Sequence, residues 1–468
     1  MSIHTTSRAS SSRSAPVAGG CGEVARLAVP LVFSLLSQSL MAAMEAALLG
    51  HVSAIAQGAV GLAWALLWPL QLGCNWSGIG VQICVAQAYG AQRHSACGNF
   101  AWQGLYINLL AWAVLVVAGL GSASLIQLSG PDPALVPPAA QYLRIVLLGS
   151  LPGLCNLTLV GFFRGIGDST TPLLVTLLVE GINTLLAVLL IFGLAGCPAL
   201  GVAGAAYASV TAASVGTLIY LRCFLRRGQR LGFLTRAWLP FDRVTCRRIV
   251  HVSWPIGAHA TLEMSAWSLF TACLARLGSV EAAAHTIALR VLALAYMAGY
   301  GIAVATTTLV GQYLGAENPA AARRSMRSSL ILVLGLLGGL GLSIFVWRVP
   351  LVRLFTQDPA VGAMAVSLLV YVALFQLFDA LALNAIGALR GAGHTRWPML
   401  AVLVLNWGLF IPSVMLVLFV WHGGLLGGWR VALGTAILTG LTLLWRAWRG
   451  QGASPSREAP APSGGMDA

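Results

Sequence analysis

Apolar residues in this chain gather into twelve long runs separated by short hydrophilic breaks, at roughly 26–50, 55–83, 98–122, 138–163, 172–193, 201–225, 248–274, 283–311, 327–348, 361–388, 397–420 and 426–447. A helix rises about 1.5 Å per residue, so runs of this length cross a hydrocarbon layer of roughly 30 Å. The pattern predicts an all-α membrane protein of twelve transmembrane helices. The longest hydrophilic connection, Arg226 to Arg248, is dense in arginine and falls at the centre of the chain. The expected organisation is therefore an N-terminal six-helix lobe over 26–225, a linker over 226–247 and a C-terminal six-helix lobe over 248–447. The polar, Ser-, Pro- and Gly-rich tails 1–25 and 448–468 are expected to be disordered.

The two halves repeat. Gly161-Phe162-Phe163-Arg164-Gly165-Ile166-Gly167 follows the fourth run, and Gly387-Ala388-Leu389-Arg390-Gly391-Ala392-Gly393 follows the tenth; each leads to a proline, Pro172 or Pro398. Gln87 and Gly90 recur as Gln312 and Gly315, Asp132-Pro133 as Asp358-Pro359, and Pro30 as Pro255, all at offsets of 225 or 226 residues. Collinear matches of this kind mark an internal duplication. Six spans per half is an even number, so both halves enter the membrane in the same sense. They form parallel repeats about an axis along the membrane normal, able to rock around a central cavity. The glycines of the G-x-x-R-G-x-G stretches suit tight turns before the next helix. No strand precedes them, so they are not a dinucleotide fingerprint.

Composition agrees: 58% of residues are hydrophobic and 9% charged, with a mean hydropathy of +0.84. All 27 basic residues are arginine, and the net charge is +14. Such a balance raises nucleic acid as a partner, but the arginines are placed by topology instead. With the amino terminus inside, twenty-one fall on the cytoplasmic side and four on the outer side, as the positive-inside rule requires. A multi-pass protein with both termini cytoplasmic follows, with the lipid bilayer as partner and no role for nucleic acid. The nine cysteines are scattered without a CxxC pair and read as small apolar fillers, so no metal site or disulfide frame is expected.

Against this background, buried charge is the informative signal. Glu45, Glu180, Glu263 and Asp379 lie inside apolar runs, where a carboxylate costs a few kcal/mol at least and marks a functional site. Glu263 stands near the middle of its run with His259 one turn below, and Asp379 is mid-span with Gln376 one turn away. Gln38 is seven residues before Glu45 and shares its face, while Asn183 follows Glu180 at i+3. These carboxylates have no arginine among them beyond the peripheral Arg144 and Arg290, so they leave a negative cavity. Such groups hold protons or bind a hard cation such as sodium, and they attract cationic, partly apolar molecules. Coupling residues are expected at Glu45, Glu263 and Asp379, with cavity support from Gln38, Glu180, Asn183, His259 and Gln376. Sodium at Glu263 and Asp379 is the one metal that the pattern admits. His259 and His285 are candidate proton relays.

At these residues the chain resembles the multidrug and toxic compound extrusion (MATE) family, in its NorM-like branch, over roughly 26–447. Pro255 with Glu263 eight positions on resembles the branch's seventh span. Asp379 before Arg390-Gly391-Ala392-Gly393 resembles its tenth, Glu45 before Gly50 its first, and Ala283-Ala284-His285-Thr286-Ile287-Ala288-Leu289-Arg290-Val291 the opening of its eighth. The chain departs from the branch at Glu45, where Asp is more usual, and at Ala187, where many members are polar or acidic. The second departure points to Glu263 and Asp379.

The resemblance implies a bacterial inner-membrane antiporter, monomeric and without cofactor, that expels cationic drugs in exchange for protons or sodium. The alternative within the same superfamily is a flippase for lipid-linked precursors or polysaccharides, which would line its cavity with arginine. A membrane enzyme would need clustered Asp/His motifs at a membrane face, and the sequence has none.

Overall fold

The computed structural model describes residues 18–128, 130, 132–233, 235 and 239–450; the tail expectations fall largely outside them. The twelve apolar runs each become helical. In the first half these are α1 (Cys21–Gly50), α2 (Ala54–Gly90), α3 (His94–Leu120), a short α4 (Ser122–Gln127), the pair α5 (Val136–Leu148) and α6 (Leu151–Gly165), α7 (Thr170–Phe192) and α8 (Val202–Leu231). The second half holds α9 (Arg243–Ala275), α10 (Ser279–Gly315), α11 (Pro319–Val346), a short α12 (Arg348–Arg353) and α13 (Pro359–Gly391). It ends with α14 (Arg396–Val402), α15 (Ile411–Met415) and α16 (Gly424–Gly450).

Widened π-turns over Leu403–Phe410 and Leu416–Val420 join α14 and α15 into one span ending at Val420. Pro412 lies between them and has no amide to donate. The fourth run bends by 49° between α5 and α6, where Pro152 opens the second helix. Among the described residues, nine helices are long and apolar enough to cross a membrane, and the bent pair makes a tenth. Helices α2 and α9 run beside them at 37 and 33 residues, α9 opening on Arg243, Arg247 and Arg248.

Helix ends extend past the apolar runs because capping, not hydropathy, sets them. Helix α9 begins at Arg243, five residues before its apolar run, because Asp242 accepts from the Val244 amide at 2.9 Å and also bonds the Thr245 hydroxyl. Helix α8 continues through its arginines to Leu231. The expected linker over 226–247 thus shrinks to the few residues between Leu231 and Arg243. What remains is laced to α3. The Tyr106 hydroxyl donates to the Leu239 carbonyl at 2.8 Å, and Gln103 brackets the chain through Pro240 O at 2.9 Å and Asp242 N at 3.0 Å. Likewise, Cys21 and Gly450 are helical, beyond the expected lobe ends at 26 and 447.

Each half builds its own core. In the first, Leu49, Leu67, Leu115, Tyr142 and Leu147 pack together; in the second, Phe270, Leu274, Leu369, Val414 and Trp429 do. The opening helix of each half begins in the other lobe. Val24, Ala28 and Leu31 of α1 pack with Ile302, Leu309 and Val333 of α10 and α11, while Leu49 at the far end joins the first-half core. Reciprocally, Ile249 of α9 packs with Val85, Phe162 and Phe224, and Phe270 lies in the second-half core.

The lobes meet through the repeated motifs. Gln87 donates to the Gly391 carbonyl at 3.1 Å, and its repeat mate Gln312 donates to the Gly165 carbonyl at 2.8 Å. Gln82 adds bonds to Thr308 Oγ1 at 3.0 Å and Val304 O at 3.2 Å. Where α2 crosses α10, a Cβ on Gly90 would stand 1.9 Å from the Gln312 carbonyl oxygen, and one on Gly315 would stand 2.1 Å from that of Gln87. Only glycine permits that approach. Further hydrogen bonds between the halves, such as Thr308 to the Arg164 carbonyl and Tyr313 to Glu23, lie toward this arginine-rich end. One end is clasped, and the cavities lie beyond it.

Candidate functional site

On α9, His259, Glu263 and Trp267 follow one another at i+4, so one helix face carries all three into the second lobe. On α13, Asp379, Ala382, Leu383 and Ile386 present the facing surface. Together with Tyr296 of α10, Asn406 and Phe410 of the π-turn stretch, and Thr435 and Thr439 of α16, they enclose a cavity of about 640 Å³, counting its open mouth. Trp267 is braced by Phe375, Phe410 and Trp429 at ring-centroid distances of 5.9, 6.0 and 6.4 Å. Phe378 completes the aromatic wall. The site therefore pairs two carboxylates with aromatic faces, the surroundings an organic cation prefers.

Polar atoms here are left open. Asp379 Oδ2, Thr439 Oγ1 and both His259 nitrogens are buried without a hydrogen-bond partner within the protein. His259 Nδ1 lies 3.8 Å from Glu263 Oε2, an electrostatic contact too long for a hydrogen bond. No arginine forms an ion pair with either acid among the described residues; Arg227 pairs instead with Asp168, at 2.5 Å. That pair ties the turn after α6 to α8, far from the cavity along the chain.

The first-lobe candidates sit in different surroundings. Glu45 accepts from the Tyr142 hydroxyl at 3.0 Å. Glu180 faces Ser37 of α1, and its Oε1 is buried. Asn183 donates weakly to Met41 Sδ at 3.5 Å, and Gln38 is exposed. Ala187 is buried in the first-lobe core. None of these lines the cavity of the second lobe.

Two further residues fall elsewhere. Gln376 is fully buried, but its Cβ lies against α11, where a Cβ on Gly341 would stand 3.5 Å away, so it does not line the cavity. His285 also stays outside, holding Thr271 at 3.0 Å between Phe270 and Trp429. The sequence reading did not single out Tyr142, Tyr296, Asn406, Thr435 or Thr439. They are neutral residues in apolar spans, and only packing reveals the face they take.

Two helical lobes clasped at one end, the second enclosing an acidic, aromatic cavity, define a helical membrane transporter. The MatE family model matches residues 30–189 and 255–416, one block in each half. The chain belongs to this family. It is 30% identical over 411 residues to a probable multidrug resistance protein NorM of Thermotoga maritima, covering 87% of this chain and 88% of that one. A protein of the same name from Pseudomonas putida is 31% identical, covering 91% and 93%. Among solved structures, an outward-facing multidrug resistance MATE transporter superposes with a TM-score of 0.86 at 18% identity, covering 94% of this chain and 99% of that one. At that identity the likeness speaks for the fold alone.

Proposed function

We propose that this protein is a cation-coupled antiporter that exports cationic, amphipathic compounds across a bacterial inner membrane by alternating access. One observation carries the reading: Glu263 and Asp379 line a single aromatic cavity with no arginine paired to either. A proton or sodium ion entering from outside neutralises the same carboxylates that hold the cargo, so ion and cargo exclude one another. Among the described residues, no three His, Cys, Asp or Glu side chains form a metal-holding group. A sodium ion would therefore draw on the two acids together with neutral oxygens, of which Thr435, Thr439 and Asn406 line the cavity. The relatives named as multidrug resistance proteins support the cargo class.

Alternation follows from the clasp. In the proposed cycle the Gln87–Gly391 and Gln312–Gly165 bonds hold the arginine-rich end, read as cytoplasmic, shut while the cavity serves the outer side. Uptake of cargo from inside requires those bonds to break. Glu263 lies on α9, which begins packed in one lobe and ends in the core of the other, so its charge state bears on the helix that joins them. A single charge moving through roughly 100 mV is worth about 2.3 kcal/mol. One ion in for one monovalent drug out gains nothing from voltage, and two ions for one drug does.

The test is efflux of a cationic dye from proteoliposomes under an imposed proton or sodium gradient. The wild type is expected to export under one of them, and Glu263→Ala and Asp379→Ala to abolish export while inserting normally. Retained export in both variants would overturn the reading.

A further inference from the structure

Beneath the acid pair lies a charge that the mechanism above does not use. Asp379, Leu383, Ile386 and Arg390 run down one face of α13, and the first three line the cavity. Eleven residues span three turns almost in register, so Arg390 stands under the cavity floor, about 16 Å along the helix from Asp379 at Cα level. Its side chain is buried, at 8% exposure. No carboxylate lies within ion-pair distance among the described residues. Its charge nevertheless interacts with His259, Glu263 and Tyr296. The repeat places Arg164 at the same point of the first lobe, where its Nε is buried without a partner and Tyr300 and Tyr220 stand near it. A guanidinium set into the protein without a carboxylate partner is costly, and among the described residues one stands at the arginine-rich end of each lobe.

We infer that Arg390 is a fixed electrostatic barrier on the cytoplasmic side of the C-lobe cavity, repelling the coupling cation so that it cannot slip inward from Glu263 and Asp379 unless the lobes rearrange. A single fixed cation excludes ions in narrow pores by the same physics. The Gln87 and Gln312 bonds close the path to cargo-sized molecules, whereas a proton or sodium ion is small enough to need a charge against it. At roughly 10 Å and an effective dielectric near 20, one unit charge suppresses a monovalent cation's passage on the order of tenfold. This inference rests on the cation-coupled reading of the acid pair.

The experiment is drug-free leak. Proteoliposomes carrying an entrapped pH or sodium indicator receive an imposed gradient with no exportable compound present. Arg390→Gln is expected to leak about tenfold faster than wild type, and Arg390→Lys, which keeps the charge, to stay tight. Arg390→His should be tight when the imidazole is protonated at acid pH and leaky at alkaline pH. A folded R390Q with background leak would overturn the barrier, as would R390K leaking like R390Q. Should R390Q not fold, R390H alone decides, and a leak that ignores pH counts against the proposal. With no drug in the assay, the result reads Arg390 whether or not export is found. Wild-type vesicles that export no dye under any gradient would instead unseat the coupled-export reading.

Discussion

The two lobes share a backbone plan and differ in where they keep charge. By the offset of 225, Glu263 has its counterpart in Gln38 and His259 in Ser34; by 226, Asp379 has its counterpart in Gly153. The first lobe thus lacks both acids at the positions that form the second-lobe cavity. Its own acids sit elsewhere: Glu45 accepts from Tyr142, and Glu180 faces Ser37 with its Oε1 buried and open. In the second lobe, Asp379, Thr439 and His259 hold open polar atoms against an aromatic wall. A carboxyl with a hydroxyl partner is built to stay as it is, whereas one without is built to receive something. The duplication kept the clasp and its two arginines, and the acid-lined cavity described here lies in one lobe.

The largest effect that should separate the lobes comes from removing charge without changing shape. Glu263→Gln and Asp379→Asn are each expected to lower the rate of dye export by at least about 100-fold, equivalent to ~2.7 kcal/mol, measured as initial efflux at fixed gradient. Glu45→Gln should cost less than about tenfold in the same assay. Equal losses at the two sites would erase the distinction drawn here.

The clasp is common to both lobes, and breaking both its arms sharpens the contrast between closing and coupling. Each amide bond is worth about 1 kcal/mol net, so the Gln87→Ala/Gln312→Ala double variant should move the balance toward an inward-open state by on the order of 30-fold. Hydrogen–deuterium exchange would then rise at the ends of α2 and α10, with little change around Trp267. Uniform exchange changes across both lobes would argue against a localised closure.

Smaller effects test the first lobe and the linker. Tyr142→Phe removes the hydroxyl that donates to Glu45 and should cost about 1 kcal/mol of stability, read as a lowered Tm in detergent, with export within about twofold. Asp242 is held below the usual carboxylate range, chiefly by the Thr245 hydroxyl and then by backbone amides. A group depressed on folding contributes stability above its unfolded value near ~3.9 and loses it as pH falls through its folded value. Asp242→Asn should therefore lower Tm at neutral pH and flatten the acid limb, the two proteins converging as pH falls below about 4.

Much of this was legible in the chain because hydropathy and repetition are strong signals. Each apolar run became helical, nine or ten of them long and apolar enough to span a membrane among the described residues, and Gln87 and Gln312 are legible as repeat mates in the sequence alone. Charges in apolar runs identified Glu263 and Asp379 directly. Other features needed packing. Gln376 shares a helix with Asp379, but sixty degrees of rotation turns it toward Gly341. Tyr142 and Asn406 carry no charge and interrupt no pattern, so nothing announced them. The start of α9 depended on the Asp242 cap, which acts over three residues and leaves hydropathy unchanged. The open polar atoms of Asp379 and His259 became visible only once neighbouring helices failed to satisfy them.

The most direct test of a shared compartment is displacement itself: proton or radioactive sodium release on adding a cationic dye to the purified protein in weakly buffered detergent. Wild type and Glu45→Gln are expected to release ion as dye binds, and the Glu263→Gln/Asp379→Asn double variant to release none. Dye binding with no ion released by wild type, or release that survives in the double variant and disappears in Glu45→Gln, would contradict the account.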